Sequence, residues 1–502
     1  MEDGSDHKIK DEELDVKRSD EQRLKKTFLW HSVKETLLKW GVETHGISPT
    51  DPSERTDLRL YQMFFVWFTS NFNILAFSTG SAAPAFFGMD IKHCVAIFIV
   101  VDTICCAIPA YFAVFGPKLG TRGMVQCRYS WGYPAAIIPS LLNVFSMQGF
   151  LILNCIVGRQ TLAAVSPDKL NATLGIVIIG VISMLVTFCG YKVVHLYEMV
   201  TWVPNCIIFF VMLGVGGKHL NPSTFSKIPT PSPSSVISCA TFIASSVISW
   251  CTMTPDYGVY HNRKASTFRI FIYTYLGFFC ASISMHMLGA AFGIAAIGVP
   301  SYTQGFDNGN DIGGLVAAIL EPTGGFGKLC LVLMALSVPA ACAPTMYTFG
   351  MSFMAVAPFF AKIPRYVYVI ISEAILIPIA IIGQTRFYTT LVNILSVIGY
   401  WSSAFAAIIL TEHFIFRQTK FSNYLTEFWD IPSRLPLGLA ALFAFLGAFG
   451  IIVPSMSQAF YEGPIAKAGS GDIGVIVGFL TAGLMFLGFR FVERKLTPYR
   501  DA

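Results

Sequence analysis

Six ionisable side chains stand inside the long apolar stretches of this sequence: Asp102, Glu198, Asp256, His286, Glu373 and Glu412. A charge at the centre of a bilayer costs roughly 2.5–3.5 kcal/mol on insertion scales, so such groups face a cavity or a partner. Their chemistry there is to carry protons, to gate, or to hold a ligand. Asp256 is the first candidate for a proton-linked role, because it follows Pro255, where an interrupted helix offers polar company. A capping acid, or a gate partner for Arg263 or Lys264, is the equal reading. Glu198, with His195, opens the fifth apolar stretch at an interfacial position and is the second candidate.

Two further residues have the chemistry to hold a flat ligand. Trp250 lies among Ser245, Ser246, Ser249, Thr252 and Thr254. An indole face beside a polar recess suits a conjugated ring, which stacks on it for about 0.5–1.5 kcal/mol beyond burial. Asn154, in GFLILNCIVGRQ, offers both a donor and an acceptor, as the edge of a nitrogen heterocycle requires; an interhelical hydrogen bond is the plainer reading. Backbone groups around Ser78–Gly80 and Thr252–Pro255 would complete such a site. No clustered catalytic set of His and Asp stands inside the apolar stretches, so the sequence gives no argument for an enzyme. The 12 cysteines make no CxxC or Cys/His spacing and read as small apolar packers. No cofactor or metal is expected, and a net charge of +5 gives no argument for nucleic acid.

These residues are carried by membrane-spanning helices. The 502 residues are 54% hydrophobic and 13% charged, against about a quarter charged in soluble proteins. No Asp, Glu, Lys or Arg occurs from Tyr61 to Met89 or from Ile270 to Gln304. A helix needs about 20 apolar residues to cross a bilayer, and uninterrupted apolar length predicts twelve spans. They fall near 61–87, 94–116, 133–157, 171–189, 195–217, 236–256, 268–298, 329–357, 366–385, 388–411, 435–457 and 471–492. The apolar, Gly-interrupted 311–328 is too short to span and reads as a surface or re-entrant piece.

The charged residues 1–57 lack a signal-peptide core and read as a cytoplasmic tail, in which 27–43 has the spacing of a surface helix. Residues 58–493 form the transporting domain and 494–502 a second cytoplasmic tail. Loop basicity orients the chain. Predicted inner loops hold Lys118, Arg122, Arg128, Lys192, Arg263, Lys264, Arg269, Lys362, Arg365, Arg417, Lys420 and Arg434, while outer segments are poorer in Lys and Arg. Both termini are thereby expected in the cytoplasm.

Two spans are interrupted in matching positions, five spans apart. The first contains Gly80 and Pro84, the sixth Pro255 and Gly258. Paired Gly/Pro-interrupted spans in the two halves of a membrane protein point to an inverted-repeat transporter with its site at the breaks. A proline kink supported by neighbouring helices is the bland alternative for either one alone.

The same residues resemble the fungal purine–cytosine permease branch of the nucleobase–cation symporter family. The likeness covers nearly the whole chain and is carried by WGVETHGISP, WFTSNFNILAFSTGSAAPAFFG, FGPKLGTRGMVQCRYSWG, FCGYKVVHLYEMVTWVPN, SWCTMTPDYGVYHNRKAS, ALSVPAACAPTMYTFGMS, FFAKIPR, TEHFIFR and YEGPIAKAGSGDIG. It implies an all-α integral membrane protein of twelve transmembrane helices, a LeuT-like five-plus-five inverted repeat plus two helices. It implies proton-coupled import across the plasma membrane, with the substrate ring stacked on Trp250 and held from spans one, three, six and eight. The branch's third-span asparagine is matched by Asn154, whereas its first-span serine falls on Ala76, with Ser78 nearby. In the eighth span the branch shows an NNIPNMYT-like stretch; here it is ACAPTMYT, so Ala341, Cys342 and Thr345 stand where amides are usual. The expected partners are a small heterocycle (cytosine, adenine or hypoxanthine, alternatively vitamin B6), a proton and the bilayer. A non-transporting membrane sensor is the alternative of another class; its usual sign is a long added cytoplasmic domain.

Overall fold

The computed structural model describes residues 46–166, 171–188, 191–226, 228–498 and 500. The charged N-terminal segment and the predicted surface helix at 27–43 lie outside the described residues. Eight stretches are long and apolar enough to cross a membrane, one of which, Arg365–Phe416, is two spans. It divides into Arg365–Gly383 and Phe387–Thr411 at the turn Gln384–Arg386. Three spans are made of shorter apolar helices: the first, the fourth (Ala172–Phe188) and the eleventh (Leu439–Ser455). All twelve predicted spans are therefore present, each within a few residues of its expected place.

The two interrupted spans are interrupted, but not where Gly80, Pro84 and Pro255 suggested. Span 1 breaks between Tyr61–Asn71 and Ile74–Phe87. Pro84 lies inside the last turn of its second half. Phe72 leaves the helical region (φ −89°, ψ 64°), and Asn73 is extended and caps the second half, its side chain accepting from Ala76 N at 3.0 Å. The same amide donates to Ser70 O at 2.7 Å. The Phe72 carbonyl freed by the break takes a hydrogen bond from Asn205 Nδ2 of span 5 (Tyr191–Gly216) at 3.1 Å. Every polar group released within a bilayer needs such a partner; the asparagines, not the proline, make this break possible. Gly80 serves packing instead. A Cβ there would lie 2.3 Å from the His286 carbonyl oxygen, and one at Gly289 would lie 2.0 Å from that of Phe77. Span 1 and span 7 (Thr267–Gly298) are thus in backbone contact.

Span 6 runs as a helix over Pro233–Ile248 and then tightens into two short 3₁₀ turns, Ser249–Thr252 and Thr254–Tyr257. Its change of geometry begins at Ser249, so Trp250 stands on the break rather than five residues ahead of it. Pro255 opens the second turn, where a missing N–H costs nothing.

The loops rich in Lys and Arg meet on one end of the molecule. Arg55 donates to Pro117 O and Lys118 O, Lys118 to Ala265 O, and Arg128 to Ala355 O and Trp429 O. Cations on helix-terminal carbonyls are electrostatically favourable. A parallel bridge joins Asp57 to His261, with Asp57 N on Tyr260 O and Asn262 N on Asp57 O. At this end Glu412 accepts from Arg417 at 2.9 Å and from Arg490 at 2.9 and 3.2 Å, while Arg490 also reaches Glu493 at 2.9 Å. All four side chains are buried. At the opposite end, the 311–328 piece folds as a tucked helix, Ile312–Leu320, whose Ile312, Leu315, Val316 and Ile319 are buried. Span 3 holds it: Gln160 accepts from Ile312 N at 3.1 Å and donates to Asn310 O at 2.6 Å.

Candidate functional site

Where the broken parts of spans 1 and 6 face each other there is a small cavity of about 30 Å³, contracted well below the roughly 300–1,000 Å³ of an open small-molecule site. Span 1 contributes Ser70, Asn71, Asn73, Leu75, Ala76 and Thr79; span 3 (Ile137–Ala163) Phe150 and Asn154; span 6 Ser246, Val247 and Trp250. Ser282 and His286 of span 7, Ala341 of span 8 (Gly325–Val356) and Leu395 of span 10 complete the wall. All but Ala76 and Ser246 are buried, so the cavity lies inside the bundle and is only partly open.

Trp250 is backed by other rings. Its indole lies 5.4 Å from Phe150, 6.0 Å edge-on from Trp67 and 6.0 Å from Phe278, and Trp67 stacks on Phe278 at 5.0 Å. Rings at these separations hold one another, leaving the 7% of Trp250 that is still exposed as a fixed apolar face. Asn154 donates to Phe150 O at 2.9 Å, which leaves its Oδ1 as an acceptor. Ser70 Oγ is buried with no hydrogen-bond partner among the described residues, and the Asn71 amide donates to Trp67 O at 3.0 Å. The cavity therefore pairs one aromatic wall with a ring of short polar side chains.

Of the residues expected to bind, the structure brings Trp250 and Asn154 to the cavity. Ser78, Gly80, Thr252 and Thr345 do not line it. Ser78 Oγ donates to Ile74 O at 2.7 Å, Thr252 Oγ1 to Ser249 O at 3.1 Å and Thr345 Oγ1 to Ala341 O at 2.8 Å. Each hydroxyl is returned to its own backbone, and Ser78 and Gly80 sit about one and a half and two turns beyond the true break. Asp256 lies on the basic end. Its carboxylate accepts from Gly123 N at 2.7 Å, capping the short helix Gly123–Gln126, and its backbone oxygen accepts from Arg122 at 2.7 Å. It thus fastens the end of span 6 to the connection after span 2 (Ile91–Cys105 and Ala107–Leu119). Glu198 is buried in span 5, its carbonyl accepting from Thr69 of span 1 at 2.7 Å.

Sequence reasoning passed over Ser70, Asn71 and Asn73, although NFNILAF carried the signal: an asparagine cap ahead of an apolar run. It named His286 and Asp102 only as charges within spans. Span 7 and span 2 bring them together, His286 Nδ1 lying 2.9 Å from Asp102 Oδ2 with both side chains buried.

A predominantly helical membrane body whose two discontinuous spans meet at a polar-and-aromatic cavity is that of a secondary transporter, not an enzyme. The chain belongs to the family of permeases for cytosine/purines, uracil, thiamine and allantoin, whose pattern matches residues 49–425. It is similar to the purine-cytosine permease FcyB of Emericella nidulans, 33% identical over 463 residues that cover 91% of this chain and 89% of that one. It is also similar, at 27% identity over 510 residues, to the vitamin B6 transporter TPN1 of Saccharomyces cerevisiae, covering 91% of this chain and 88% of the transporter. Among solved structures, Mhp1, a nucleobase-cation-symport-1 family transporter in a closed conformation with bromovinylhydantoin bound, superposes with a TM-score of 0.68. At 16% identity, over 91% of this chain and 97% of Mhp1, the likeness is one of fold.

Proposed function

We propose that the protein is a proton-coupled symporter that imports a small planar nitrogen heterocycle, a nucleobase of the cytosine, adenine or hypoxanthine kind. The observation that carries this reading is the cavity itself: a braced indole face at the break of span 6, with the free Asn154 Oδ1 on its wall. The ring stacks on Trp250, and an exocyclic or ring N–H donates to Asn154. Asn71 and Ser70 supply the remaining polar contacts. Ser78, Gly80, Thr252 and Thr345 act by shaping the backbone behind these groups. The relatives, a purine-cytosine permease and a vitamin B6 transporter, support a heterocycle as the cargo.

Asp256 serves as an inner gate tie, releasing Gly123 when span 6 swings. Glu198 couples to the break through Thr69. The end rich in Lys and Arg faces the cytoplasm, in keeping with loop basicity, and the protein resides in the plasma membrane. A thermal-shift panel of cytosine, adenine, hypoxanthine and pyridoxine on the purified protein tests the cargo, because a ligand of the folded state raises stability by mass action. Uptake of the same labelled compounds into cells lacking their own carriers tests transport. No shift and no uptake with any of them overturns the reading.

One observation favours vitamin B6 over a nucleobase. The span 8 wall is presented by Ala341, which can neither donate nor accept. A ring with fewer edge groups leaves nothing unpaired against it.

A further inference from the structure

We infer that the buried Asp102–His286 pair is the proton-carrying site of transport. This rests on the proton-coupled reading above and assigns the proton to particular atoms. His286 lines the cavity wall and its Nδ1 is engaged by Asp102 Oδ2 at 2.9 Å. Asp102 is fully buried within span 2, and its Oδ1 has no hydrogen-bond partner among the described residues. An unshared carboxylate oxygen in the middle of a span is costly to keep, and its cost is offset when the imidazole beside it becomes a cation.

The geometry supplies the direction of transfer. With Nδ1–H donated to Asp102, the neutral tautomer leaves the Nε2 lone pair as the basic atom of His286, and no described residue hydrogen-bonds it. A proton from water admitted to the cavity adds to Nε2, forming one N–H bond. The resulting imidazolium is balanced by the Asp102 carboxylate, and the proton leaves from the same nitrogen when the cavity opens to the other side. Among the described residues no other carboxylate or imidazole pairs with either group. The remaining titratable groups around the pair are Cys105 and Cys106 of span 2 and Tyr275 and Cys280 of span 7, neutral thiols and a phenol at working pH. Span 1, packed against both, brings no titratable group beyond Tyr61 at its far start.

Coupling follows from position. The His286 backbone lies against Gly80, where no side chain fits between them. The protonated ring is therefore carried by span 7 directly against the half of span 1 that begins at the Asn73 break and lines the cargo space. Charge on His286 and occupancy of the cavity then bias the same element, which is what a coupling free energy requires.

Reconstitution in proteoliposomes tests this, with labelled cytosine or whichever compound of the panel shifts the melting point. The wild type is expected to concentrate the compound under an inwardly directed pH gradient. His286→Gln and Asp102→Asn are each expected to lower the accumulation ratio at least tenfold more than they lower equilibrative exchange, and to flatten the pH profile of initial uptake. A merely structural pair would lower yield and melting temperature and leave that profile in place. Wild-type-like accumulation by His286→Gln overturns the inference. Accumulation by the wild type under a sodium gradient but not a pH gradient overturns the proton-coupled reading itself, a separate outcome. A measurement that needs no variant is proton uptake by the wild type on ligand addition in weak buffer near pH 7. Close to one proton per bound ligand is expected, and none overturns the inference.

Discussion

At the residue scale the cargo site depends on one face and one acceptor. Trp250→Ala should weaken binding of the transported ring at least tenfold, about 1.4 kcal/mol, with surface expression kept; ligand-induced melting shifts and confocal localisation measure the two sides. Asn154→Ala should cost less, two- to tenfold, the range of one hydrogen bond worth about 0.5–1.5 kcal/mol. Span 8 offers the converse change. Ala341→Asn introduces an amide at the cavity wall and should raise the preference for cytosine over pyridoxine by about tenfold, read as the ratio of competing uptake rates. Trp250 and Asn154 were legible as types of chemistry in a polar neighbourhood. Ser78 and Thr345 do not line the cavity, because each hydroxyl satisfies itself on the preceding turn of its helix, and the sequence does not reveal which way a hydroxyl has turned.

At the element scale the decisive feature is how each break is held. Glycine and proline marked the interrupted spans correctly, but span 1 opens at Phe72–Asn73, eight residues before Gly80. The partner that makes this possible, Asn205, belongs to span 5, and no local pattern announces a bond across 133 residues. The same is true of Asp102 and His286, which are 184 apart. Asn205→Leu should leave the Phe72 carbonyl unsatisfied, lowering stability by about 1 kcal/mol, a typical size for interhelical hydrogen bonds in membranes. Transport should fall further than stability does, since the break moves; melting in detergent and uptake separate the two. Span positions, in contrast, were legible to within a few residues, because length and hydropathy largely decide what crosses a bilayer.

On the scale of the whole molecule, the basic end is a lock built from several loops. His261 sits in it, buried beside Asp57, and burial pushes its imidazole below the usual value. A base with a lowered folded value adds stability that is full above its unfolded value of about 6.5 and is lost as pH falls below it. Melting temperature should therefore drop between pH 7.5 and 5.5, and His261→Gln should shrink that drop. Asp57, which Arg59 holds below the usual carboxylate range despite partial burial, stays ionised throughout this window. Removing the carboxylate shared by two arginines is the harsher test. Glu412→Ala should cost about 3–5 kcal/mol, as breaking a buried ion pair does, and appear as poor expression and a low melting point.

That buried network also sets a timetable for biogenesis. Glu412 and Arg417 emerge from the ribosome long before Arg490 and Glu493, their partners in the last span. Until the final helix is inserted, the Glu412–Arg417 pair at the end of span 10 lacks its second arginine. A chain stopped after residue 470 should be recognised as unfinished and degraded, although every residue lining the cavity would already be in the membrane. Pulse-chase labelling of that truncation against the full chain would show the difference as a shortened half-life.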